Sequence, residues 1–592
     1  MASPKIIVVG GGLAGLAAFI KIAEAGGNVD LFSIVPVKRS HSVCAQGGIN
    51  AAKNLKGEGD TTDKHFDDTI YGGDFLANQT PVKLMCEAAP AIIDLLDRMG
   101  VPFNRTPEGL LDFRRFGGTL YNRTAFAGAT TGQQLLYALD EQVRRYEAAG
   151  HVNKYEGWEF LSAIIDSKGV ARGITALNLR TMELKAFPAD AVIFATGGNG
   201  AIFGKSTNSV VCTGSANSAL FQQGVYYANG EFIQVHPTCI PGEDKLRLMS
   251  ESARGEGGRV WVPRTVGDKR PVKQIPDSDR FYFLEEWYPK YGNLVPRDIA
   301  TRAIHRVVYE LGLGLDGQPM VYLDLSHIDR ATLDRKLGGI LDIYEKFVGD
   351  DPHDVPMKIF PGMHYTMGGL WVDFNQMTNI PGIFAAGECE YQYHGANRLG
   401  ANSLLSCIFA GFHAGPNALQ YAQNLPAAQG DGGHAAEIAR QAEINGRLLK
   451  NEGTENPFKL WRELGQNMTQ HVTVTRYNKG LQQADDKIVE LLDRYRNVNL
   501  SDRSQWANTS FAFARQLKNM LELSRVVALG ALQRDESRGA HFKPDFPERN
   551  DEQFLKTTKA SFTGQPAGPR IEYEPVDIQF IKPRPRRYDA AK

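Results

Sequence analysis

Cysteine is sparse in this sequence and nowhere paired. The six cysteines are scattered along 592 residues without a Cys-x-x-Cys motif. Zinc sites and iron–sulfur clusters need clustered thiolate ligands, and small secreted scaffolds need closely spaced disulfides. The sequence therefore argues against all three in this chain, and scattered free thiols suit a reducing compartment.

Two further absences bear on where the protein works. No apolar run approaches the ~20 residues that span a bilayer, and the N-terminus enters a predicted strand without the segments of a secretory leader. Lysine plus arginine (66) almost equal aspartate plus glutamate (67), which gives no overall attraction to nucleic acid. We therefore expect a cytoplasmic protein that reaches a membrane only by docking on a partner. Its length predicts two to four domains of about 150 residues each.

A dinucleotide-binding pattern opens the chain. Lys5–Val9 is a β-branched run typical of a buried strand, residues 16–25 have helical periodicity, and Asn28–Ser33 is typical of a second strand. The run Gly-Gly-Gly-Leu-Ala-Gly fills residues 10–15, between the first strand and the helix. This order predicts a site for a dinucleotide whose phosphates meet the helix N-terminus.

The glycines of this pattern have separate predicted roles. Gly10 allows the tight turn, Gly12 lets the backbone approach a pyrophosphate, and Gly15 lets the helix pack on the strand. The sequence departs from the usual pattern at the end of the second strand, where an acid normally binds the ribose and Ser33 stands instead. A serine hydroxyl can still bond a ribose hydroxyl, although less strongly.

Residues 38–52 contain one histidine and almost no bulky side chain. His41 is followed by Gln46, Gly47 and Gly48. Glycine and alanine let a backbone run close against a flat ligand, because no long side chain stands in the way. Two interpretations remain open on these local grounds: an irregular surface loop, or a segment that clamps a ligand.

Charged and imidazole side chains recur in motifs that lie far apart in the sequence. The set is His236, Thr238, Ser250, Glu251, Arg254, Arg297, His364 and Arg398. Arginines match carboxylates with two parallel hydrogen bonds, so this set suits a dianion such as a C4-dicarboxylate. Taken singly, a histidine before proline is often a satisfied core residue, and a Glu–Arg pair is often a surface ion pair. Spacing alone does not place these residues together.

Several longer motifs resemble one family, in order, over about residues 5 to 550. They are Arg-Ser-His-Ser (39–42), Ala-Gln-Gly-Gly-Ile-Asn-Ala-Ala (45–52), Glu-Phe-Ile-Gln-Val-His-Pro-Thr (231–238), Arg-Gly-Glu-Gly-Gly (254–258), Pro-Arg-Asp-Ile-Ala-Thr-Arg (296–302), His-Tyr-Thr-Met-Gly-Gly (364–369), His-Gly-Ala-Asn-Arg-Leu-Gly-Ala-Asn-Ser-Leu-Leu (394–405) and Glu-Ser-Arg-Gly-Ala-His (536–541). The sequence thus resembles the flavoprotein subunits of succinate dehydrogenase and fumarate reductase. Its general features are most similar to the bacterial form whose partners are an iron–sulfur subunit and a haem-bearing membrane anchor.

This resemblance implies a fold and its division into domains. We expect an α/β, Rossmann-like FAD-binding domain formed by residues 1–235 and 361–424, with an α+β capping domain at residues 236–360 inserted into it. A helical domain at residues 425–535 follows, consistent with a polar linker near residues 426–433 and helical periodicity beyond it. An irregular C-terminal segment covers residues 536–592.

The resemblance also implies that FAD is bound, and that His41 is joined covalently to the flavin 8α-methyl group. Gly10, Gly12 and Gly15 would then hold the pyrophosphate. Further FAD contacts are expected from Ser33, Gln46, Gly47, Gly48, Thr196, Gly197 (where an apolar strand runs into glycine), Asp74, Glu388, Ser403 and Leu404.

Roles in catalysis follow from the same resemblance. The dicarboxylate would be bound by His236, Thr238, Ser250, Glu251, His364 and Arg398. Arg297 would transfer the proton and Glu251 and Arg254 would relay it to solvent, while Arg398 and His364 polarise the substrate carboxylate. Elementary chemistry would favour a histidine as the acid, because arginine normally stays charged. The role requires Arg297 to be desolvated among other cations.

Two residues depart from the family pattern. Ser250 replaces the usual threonine and keeps its hydroxyl, and Ala253 stands where some members carry a cysteine, which predicts weaker sensitivity to thiol reagents.

Three alternatives compete with a succinate:quinone oxidoreductase subunit. L-aspartate oxidase and soluble single-chain fumarate reductases lack the histidine that corresponds to His41. A non-enzymatic flavin-binding scaffold would lose the Arg/His set. The expected partners are an iron–sulfur subunit and, through it, a cytochrome b membrane anchor. This would place the chain on the cytoplasmic side of the membrane.

Overall fold

A five-stranded parallel sheet forms the centre of the molecule. The computed structural model describes residues 4–150, 152–242, 245–426 and 432–588. The strands lie in the order Ile383–Ala385, Ala191–Phe194, Lys5–Val9, Asn28–Ser33 and Val152–Glu156. The inner strands Ala191–Phe194 and Lys5–Val9 are almost entirely apolar because helices or other sheets cover both faces.

Two helices pack closely against each other and against this sheet. They are Leu13–Glu24, which follows the glycine-rich turn, and Asn402–Gln423. Small residues allow the close approach: a Cβ on Gly411 would lie 2.3 Å from the carbonyl oxygen of Ala14. The strands Lys5–Val9 and Asn28–Ser33 have their predicted bounds. The helix between them begins at Leu13, three residues before the start of the helical periodicity at residue 16.

Further helices and small sheets surround this centre. The helices are Thr62–Gly72, Gln79–Arg98, Thr131–Ala148 and Ser215–Gln222. One antiparallel sheet is a meander of Trp158–Ile165, Ala171–Asn178 and Leu184–Pro188. A smaller one joins Ile49–Asn50, Thr124–Ala125 and Phe113–Arg114.

A second layer is built on a six-stranded antiparallel sheet. Its strands, in order, are Arg247–Leu248, Ile233–Ile240, Met357–Thr366, Val321–Asp324, Arg259–Pro263 and Arg280–Phe281. Its helices are Ser252–Gly255, Phe283–Trp287, Arg297–His305 and Arg330–Val348. The expected domain limits at residues 235/236 and 360/361 fall inside two paired strands of this sheet. The capping part and the FAD-binding part are therefore joined by continuous strands rather than by flexible linkers.

The C-terminal third is helical and then returns to the sheet region. The helices are His434–Lys450, Pro457–Val472, Asn478–Tyr495, Thr509–Gln533 and the short Asp551–Phe554. The segment 536–592, which we expected to be irregular, contains a hairpin of Lys556–Ser561 and Arg570–Pro575. This hairpin pairs with Tyr227–Ala228, which in turn pairs with Gly369–Leu370. Residues 427–431 of the expected linker and the last four residues lie outside the described ranges. Within those ranges, no helix is long and apolar enough to cross a bilayer.

Candidate active site

A long cavity of about 440 Å³ runs from the glycine-rich turn to the Arg/His cluster. Of the residues singled out in the sequence, it is lined by Gly10, Gly12, Ser33, His41, Gln46, Gly47, Gly48, Thr196, Gly197, His236, Ser250, Glu251, Arg297, His364, Glu388, Arg398, Ser403 and Leu404. Gly15, Asp74, Thr238 and Arg254 do not line it. The fold thus brings into one cavity residues that are hundreds of positions apart in the sequence.

The glycine-rich turn shapes one end of the cavity. Gly10 has φ +123°, and a Cβ there would lie 2.1 Å from the carbonyl oxygen of Ala195. A Cβ on Gly15 would lie 1.8 Å from the carbonyl oxygen of Gly10, so Gly15 serves the packing of helix on strand. Gly12 is the residue before the helix and faces the cavity, which leaves the helix N-terminus open to an anion.

The wall beside Ser33 contains an acid that the sequence did not single out. The Ser33 hydroxyl donates to the carbonyl oxygen of Val35 at 2.6 Å. Glu159, on a neighbouring strand, lines the same cavity; Gln516 donates to its Oε1, and its buried Oε2 has no partner. Burial raises the pKa of Glu159 to about 7. A sequence motif places an acid only at the end of the second strand, so it does not point to Glu159.

His41 is held at its two ring nitrogens. The backbone N–H of Ser209 donates to Nδ1 at 3.1 Å, and the amide group of Asn208 lies 3.1 Å from Nε2. Burial, and then the charge of Lys245, lowers the pKa of His41 to about 4. The ring is therefore neutral near pH 7.

The segment after His41 is held against the cavity by Arg114. The buried guanidinium of Arg114 donates to the carbonyl oxygen of Gly47 at 2.5 Å and stacks over the ring of Phe126 at 4.0 Å. A Cβ on Gly47 would come within 2.6 Å of the Phe116 ring. Gly47 therefore has to be glycine for this segment to pass between the ring and the cavity.

The opposite wall is formed by Glu388 and the start of the helix Asn402–Gln423. Glu388 accepts hydrogen bonds from the backbone N–H (3.0 Å) and hydroxyl (3.3 Å) of Thr366. Burial raises the pKa of Glu388 to about 7. Ser403 and Leu404 lie in the first turn of the helix and face the same space.

Asp74 lies away from the cavity, which the resemblance did not lead us to expect. It adopts a left-handed conformation (φ 53°) just after the helix Thr62–Gly72. Its carboxylate accepts from Arg549 at 2.8 Å and from the backbone N–H of Gly539 at 2.9 Å. These contacts turn Asp74 towards the C-terminal segment.

Two arginines meet on one glutamine at the other end of the cavity. Arg297 donates to the Oε1 of Gln234 at 2.9 Å, and Arg398 donates to the same oxygen at 2.9 Å. Arg398 also stacks on the Tyr365 ring at 4.4 Å, and its Nε is buried without a partner. Burial, and then the charge of Arg297, lowers the pKa of Arg398 to about 9. Gln234 was missed from the sequence, although it lies in the same motif as His236.

Glu251 links Arg297 to Arg254. Its Oε2 accepts from the Nε and a terminal nitrogen of Arg297 at 2.9 and 2.8 Å, and its Oε1 accepts from Arg254 at 2.7 Å. All three side chains are buried. Burial raises the pKa of Glu251, but the charges of Arg297 and Arg254 outweigh it, so the pKa lies below its usual value. Ser250, beside Glu251, donates to the hydroxyl of Ser252 at 2.9 Å.

The two histidines, His236 and His364, lie against each other at this end of the cavity, with ring centres 4.9 Å apart. The backbone N–H of Thr238 donates to the Nδ1 of His236 at 3.2 Å, and Thr207 Oγ1 lies 2.7 Å from the Nδ1 of His364. Burial, and then the charge of Arg297, keeps the pKa of both histidines well below its usual value. Thr238 therefore acts behind His236 rather than in the cavity.

His364 reaches the cavity through a β-bulge. Gln234 pairs with Tyr365 and Val235 with Met363, so His364 is the extra residue of its strand. Bulges re-aim a side chain and are frequent beside functional sites.

The cavity fits a dinucleotide at one end and a small dianion at the other. Glycines at the turn and at Gly47 leave the backbone open to a flat ligand, as FAD requires. At the other end, His236 Nε2 and Arg398 Nε are buried donors without partners in the described structure. Buried donors of this kind are costly unless a ligand accepts from them, and carboxylate oxygens are suitable acceptors.

Comparisons with known proteins agree with this geometry. Residues 5–404 match the FAD binding domain family, and residues 461–588 match the family described as fumarate reductase flavoprotein C-term. The chain is 63% identical to the succinate dehydrogenase flavoprotein subunit of Bacillus subtilis (strain 168), with 100% of both chains covered. It is 35% identical to the fumarate reductase flavoprotein subunit of Escherichia coli (strain K12), covering 98% of this chain and 95% of that one.

Solved structures give the same result. A variant of E. coli quinol fumarate reductase superposes with a TM-score of 0.91 at 32% identity, covering 100% of this chain and 99% of that one. Mycobacterium smegmatis Sdh1 in complex with UQ1 superposes with a TM-score of 0.82 at 30% identity, covering 98% and 95%. The chain belongs to the family of succinate dehydrogenase and fumarate reductase flavoprotein subunits, and it is an FAD-dependent oxidoreductase.

Proposed function

We propose that the cavity described above is the site where succinate and fumarate are interconverted, with Arg297 as the proton-transferring group. The observation that carries this proposal is the pairing of Arg297 and Arg398 on Gln234 beside two unpartnered buried donors. When bound, FAD supplies a two-electron acceptor for hydride from the substrate. The remaining tasks belong to residues of this chain.

Binding of the dicarboxylate is assigned to the Arg/His cluster. Arg398 takes one carboxylate, with its free Nε and the orientation given by Tyr365. His236 offers its Nε2 proton to the dianion, because Thr238 occupies Nδ1. Neutral His236 and His364 can donate hydrogen bonds without adding charge, and Ser250 adds a hydroxyl to the same wall. Arg398 and His364 then polarise the carboxylate next to the reacting carbon.

Proton transfer at the methylene carbon of succinate that does not give up hydride is assigned to Arg297. Its side chain lies in a buried cluster with Arg398 and Arg254 and lines the cavity, where it can meet the substrate. Glu251 bridges Arg297 and Arg254 through its two oxygens, so a proton can pass between them along existing hydrogen bonds. Arg254 is the outer member of this relay, since it lies outside the cavity.

Covalent attachment of FAD is assigned to His41. Its ring stays neutral near pH 7 and lines the cavity, so the unprotonated ring nitrogen could act as the nucleophile towards the flavin 8α carbon. Asn208 and Ser209 would hold the imidazole ring in place for this attachment. Gln46, Gly47, Gly48, Thr196, Gly197, Glu388, Ser403 and Leu404 would line the bound cofactor, and Gly10, Gly12 and Ser33 would lie at its phosphate and ribose end.

Partners follow from the chemistry of this chain. Its scattered cysteines provide no ligand set for an iron–sulfur cluster. We therefore infer an iron–sulfur subunit that takes electrons from the flavin and a cytochrome b membrane anchor beyond it, which would hold this chain at the cytoplasmic face of the membrane.

The test uses the purified protein with its partners. Succinate should bleach the flavin and support reduction of an artificial electron acceptor, and an acid-treated denaturing gel should show a fluorescent band at the mass of this chain. His41→Ala should abolish the fluorescent band while FAD still binds. L-aspartate turnover to an imino acid without a fluorescent band would instead identify an L-aspartate oxidase.

A further inference from the structure

The last described residues cross the protein as an extended strap. Residues 577–588, here called the C-terminal strap, follow the C-terminal hairpin and contain no helix or strand. The buried side chain of Gln79 fixes their start: its Oε1 accepts from the N–H groups of Phe580 and Ile581, both at 2.8 Å, and its Nε2 donates to the carbonyl oxygen of Ile581. The strap is therefore positioned by specific contacts despite its irregular backbone.

The strap ends in a buried ion pair with the capping part. Arg586 donates to the two oxygens of Asp298 at 2.5 and 3.0 Å, and the two side chains are 6% and 1% exposed. The next anchor is Tyr588, whose ring packs between Tyr71 and Tyr291 at 5.6 and 5.1 Å. A buried ion pair costs desolvation and is weak support for stability alone, whereas it can specify one conformation.

Asp298 connects this ion pair to the active site. It directly follows Arg297 in the sequence, and its Oδ1 also accepts from the amide of Asn397 at 3.1 Å. The amide oxygen of Asn397 accepts from Gln234 Nε2 at 2.9 Å. The Oε1 of Gln234 is the acceptor shared by Arg297 and Arg398. Hydrogen bonds thus run without interruption from the strap to both arginines.

We propose that Arg586 is a positioning residue that sets the orientation of Arg297 and Arg398 through Asp298, Asn397 and Gln234. It does not line the cavity. The amide nitrogen of Gln234 donates to Asn397 and to the backbone carbonyl oxygen of Arg398 (2.8 Å), and these two acceptors turn its oxygen to the arginines. The Asn397 amide is oriented in turn by Asp298. Without Arg586, the Asp298 carboxylate is drawn towards Arg302, which donates to it at 3.3 Å. Asp298 then no longer holds the amide of Asn397, and the hydrogen bonds from Asn397 to Gln234 and the arginines lose their fixed orientation.

This inference rests on the proposed function, because it assumes that Arg297 and Arg398 act on the dicarboxylate. A simpler role for Arg586 is to anchor the tail. These two roles of Arg586 predict different effects of its replacement. Loss of a tail anchor affects folding and FAD content, whereas loss of a positioning residue also affects substrate binding and turnover in each molecule that carries FAD.

The experiment compares Arg586→Ala with Arg587→Ala in the purified complex. Arg587 is exposed and its backbone, not its side chain, bonds Tyr71. Arg586→Ala should lower kcat/KM for succinate, per bound FAD, by about tenfold or more, and weaken fumarate binding to the oxidised flavoprotein, followed by flavin absorbance, to a similar degree. Arg587→Ala should stay within about twofold of the unmodified protein.

A conservative variant covers the case in which Arg586→Ala does not fold. Arg586→Lys keeps the charge that compensates Asp298, but a single ammonium group cannot hold both oxygens. It should lose about threefold or more of kcat/KM. Unchanged kcat/KM and fumarate affinity per bound FAD in Arg586→Lys, or in Arg586→Ala where it folds, would overturn the inference, even if FAD content fell. Failure of the unmodified complex to oxidise succinate would instead overturn the proposed function.

Discussion

Replacing Gln234 by leucine removes the acceptor that Arg297 and Arg398 share. Leucine has a similar size and cannot bond, so the change isolates the hydrogen bonds. Arg297 keeps two bonds to Glu251, whereas Arg398 keeps only a 3.4 Å contact to the carbonyl oxygen of Leu399 among its described hydrogen bonds. The loss therefore falls mainly on Arg398 and on the substrate carboxylate that it binds.

The size of the effect follows from one charge-assisted hydrogen bond. Such a bond contributes about 1.5–3 kcal/mol, which corresponds to roughly a 10- to 150-fold loss of kcat/KM for Gln234→Leu. Gln234→Glu is the matched variant, since it has the same shape and adds a negative charge. It should pair both arginines, raise KM for the dianion, and slow the proton release that Arg297 performs.

The assay is succinate oxidation with an artificial electron acceptor, normalised to bound FAD, together with fumarate binding followed by flavin absorbance. Gln234→Leu should weaken both turnover and binding. A Gln234→Leu protein with kcat/KM within about twofold of the unmodified protein, the range of a neutral surface substitution, would refute the assignment of Arg398 to carboxylate binding through this network.

Three further predictions concern residues around the cavity. Asp74→Asn should leave bound FAD unchanged and lower the thermal midpoint, because Asp74 pairs with Arg549 outside the cavity; loss of FAD would contradict this. Thr207→Val should remove the partner of His364 Nδ1 and lower kcat/KM by about fivefold, the value of one hydrogen bond near 1 kcal/mol; an unchanged kcat/KM would count against that contact. Folded His41 has a pKa of about 4 against 6.5 when unfolded, so only the unfolded chain takes up this proton between those values. The thermal midpoint of the flavin-free protein should therefore fall as pH falls from about 6.5 to about 4, and less so in His41→Gln; equal slopes would exclude His41 as a cause.

The nucleotide-binding end of the site could be predicted from sequence because its parts are contiguous. Lys5–Val9, the glycine turn and Asn28–Ser33 follow one another, so periodicity and glycine spacing suffice. Even so, the helix begins at Leu13, because Ala14 and Gly15 in its first turn are too small to extend the apolar periodicity back to Leu13.

The substrate end depends on contacts that a linear pattern does not contain. Gln234 lies two residues before His236 on one strand, and residues with this spacing point to the same face. This spacing was the sequence signal that could have identified Gln234 as a site residue. The bulge that turns His364 inward has no such signal, because it is created by pairing with a strand more than a hundred residues away. The same holds for Arg586 and Asp298, which are 288 residues apart.

Family resemblance and geometry also differ in what they identify. Resemblance pointed to Asp74 as a cofactor contact, whereas its left-handed backbone turns it to Arg549 and Gly539. Conversely, Glu159 lies in the cavity wall with a free carboxylate oxygen and carries no motif of its own.

Rapid-mixing reduction of the flavin by succinate tests whether Arg297 transfers the proton. Arg297→Gln keeps a side chain that can bond Glu251, and Glu251 remains paired with Arg254. FAD should stay bound while the rate of flavin reduction falls by about 10²- to 10⁴-fold, the range of general acid–base catalysis. Flavin reduction by Arg297→Gln at a rate close to that of the unmodified protein would contradict it.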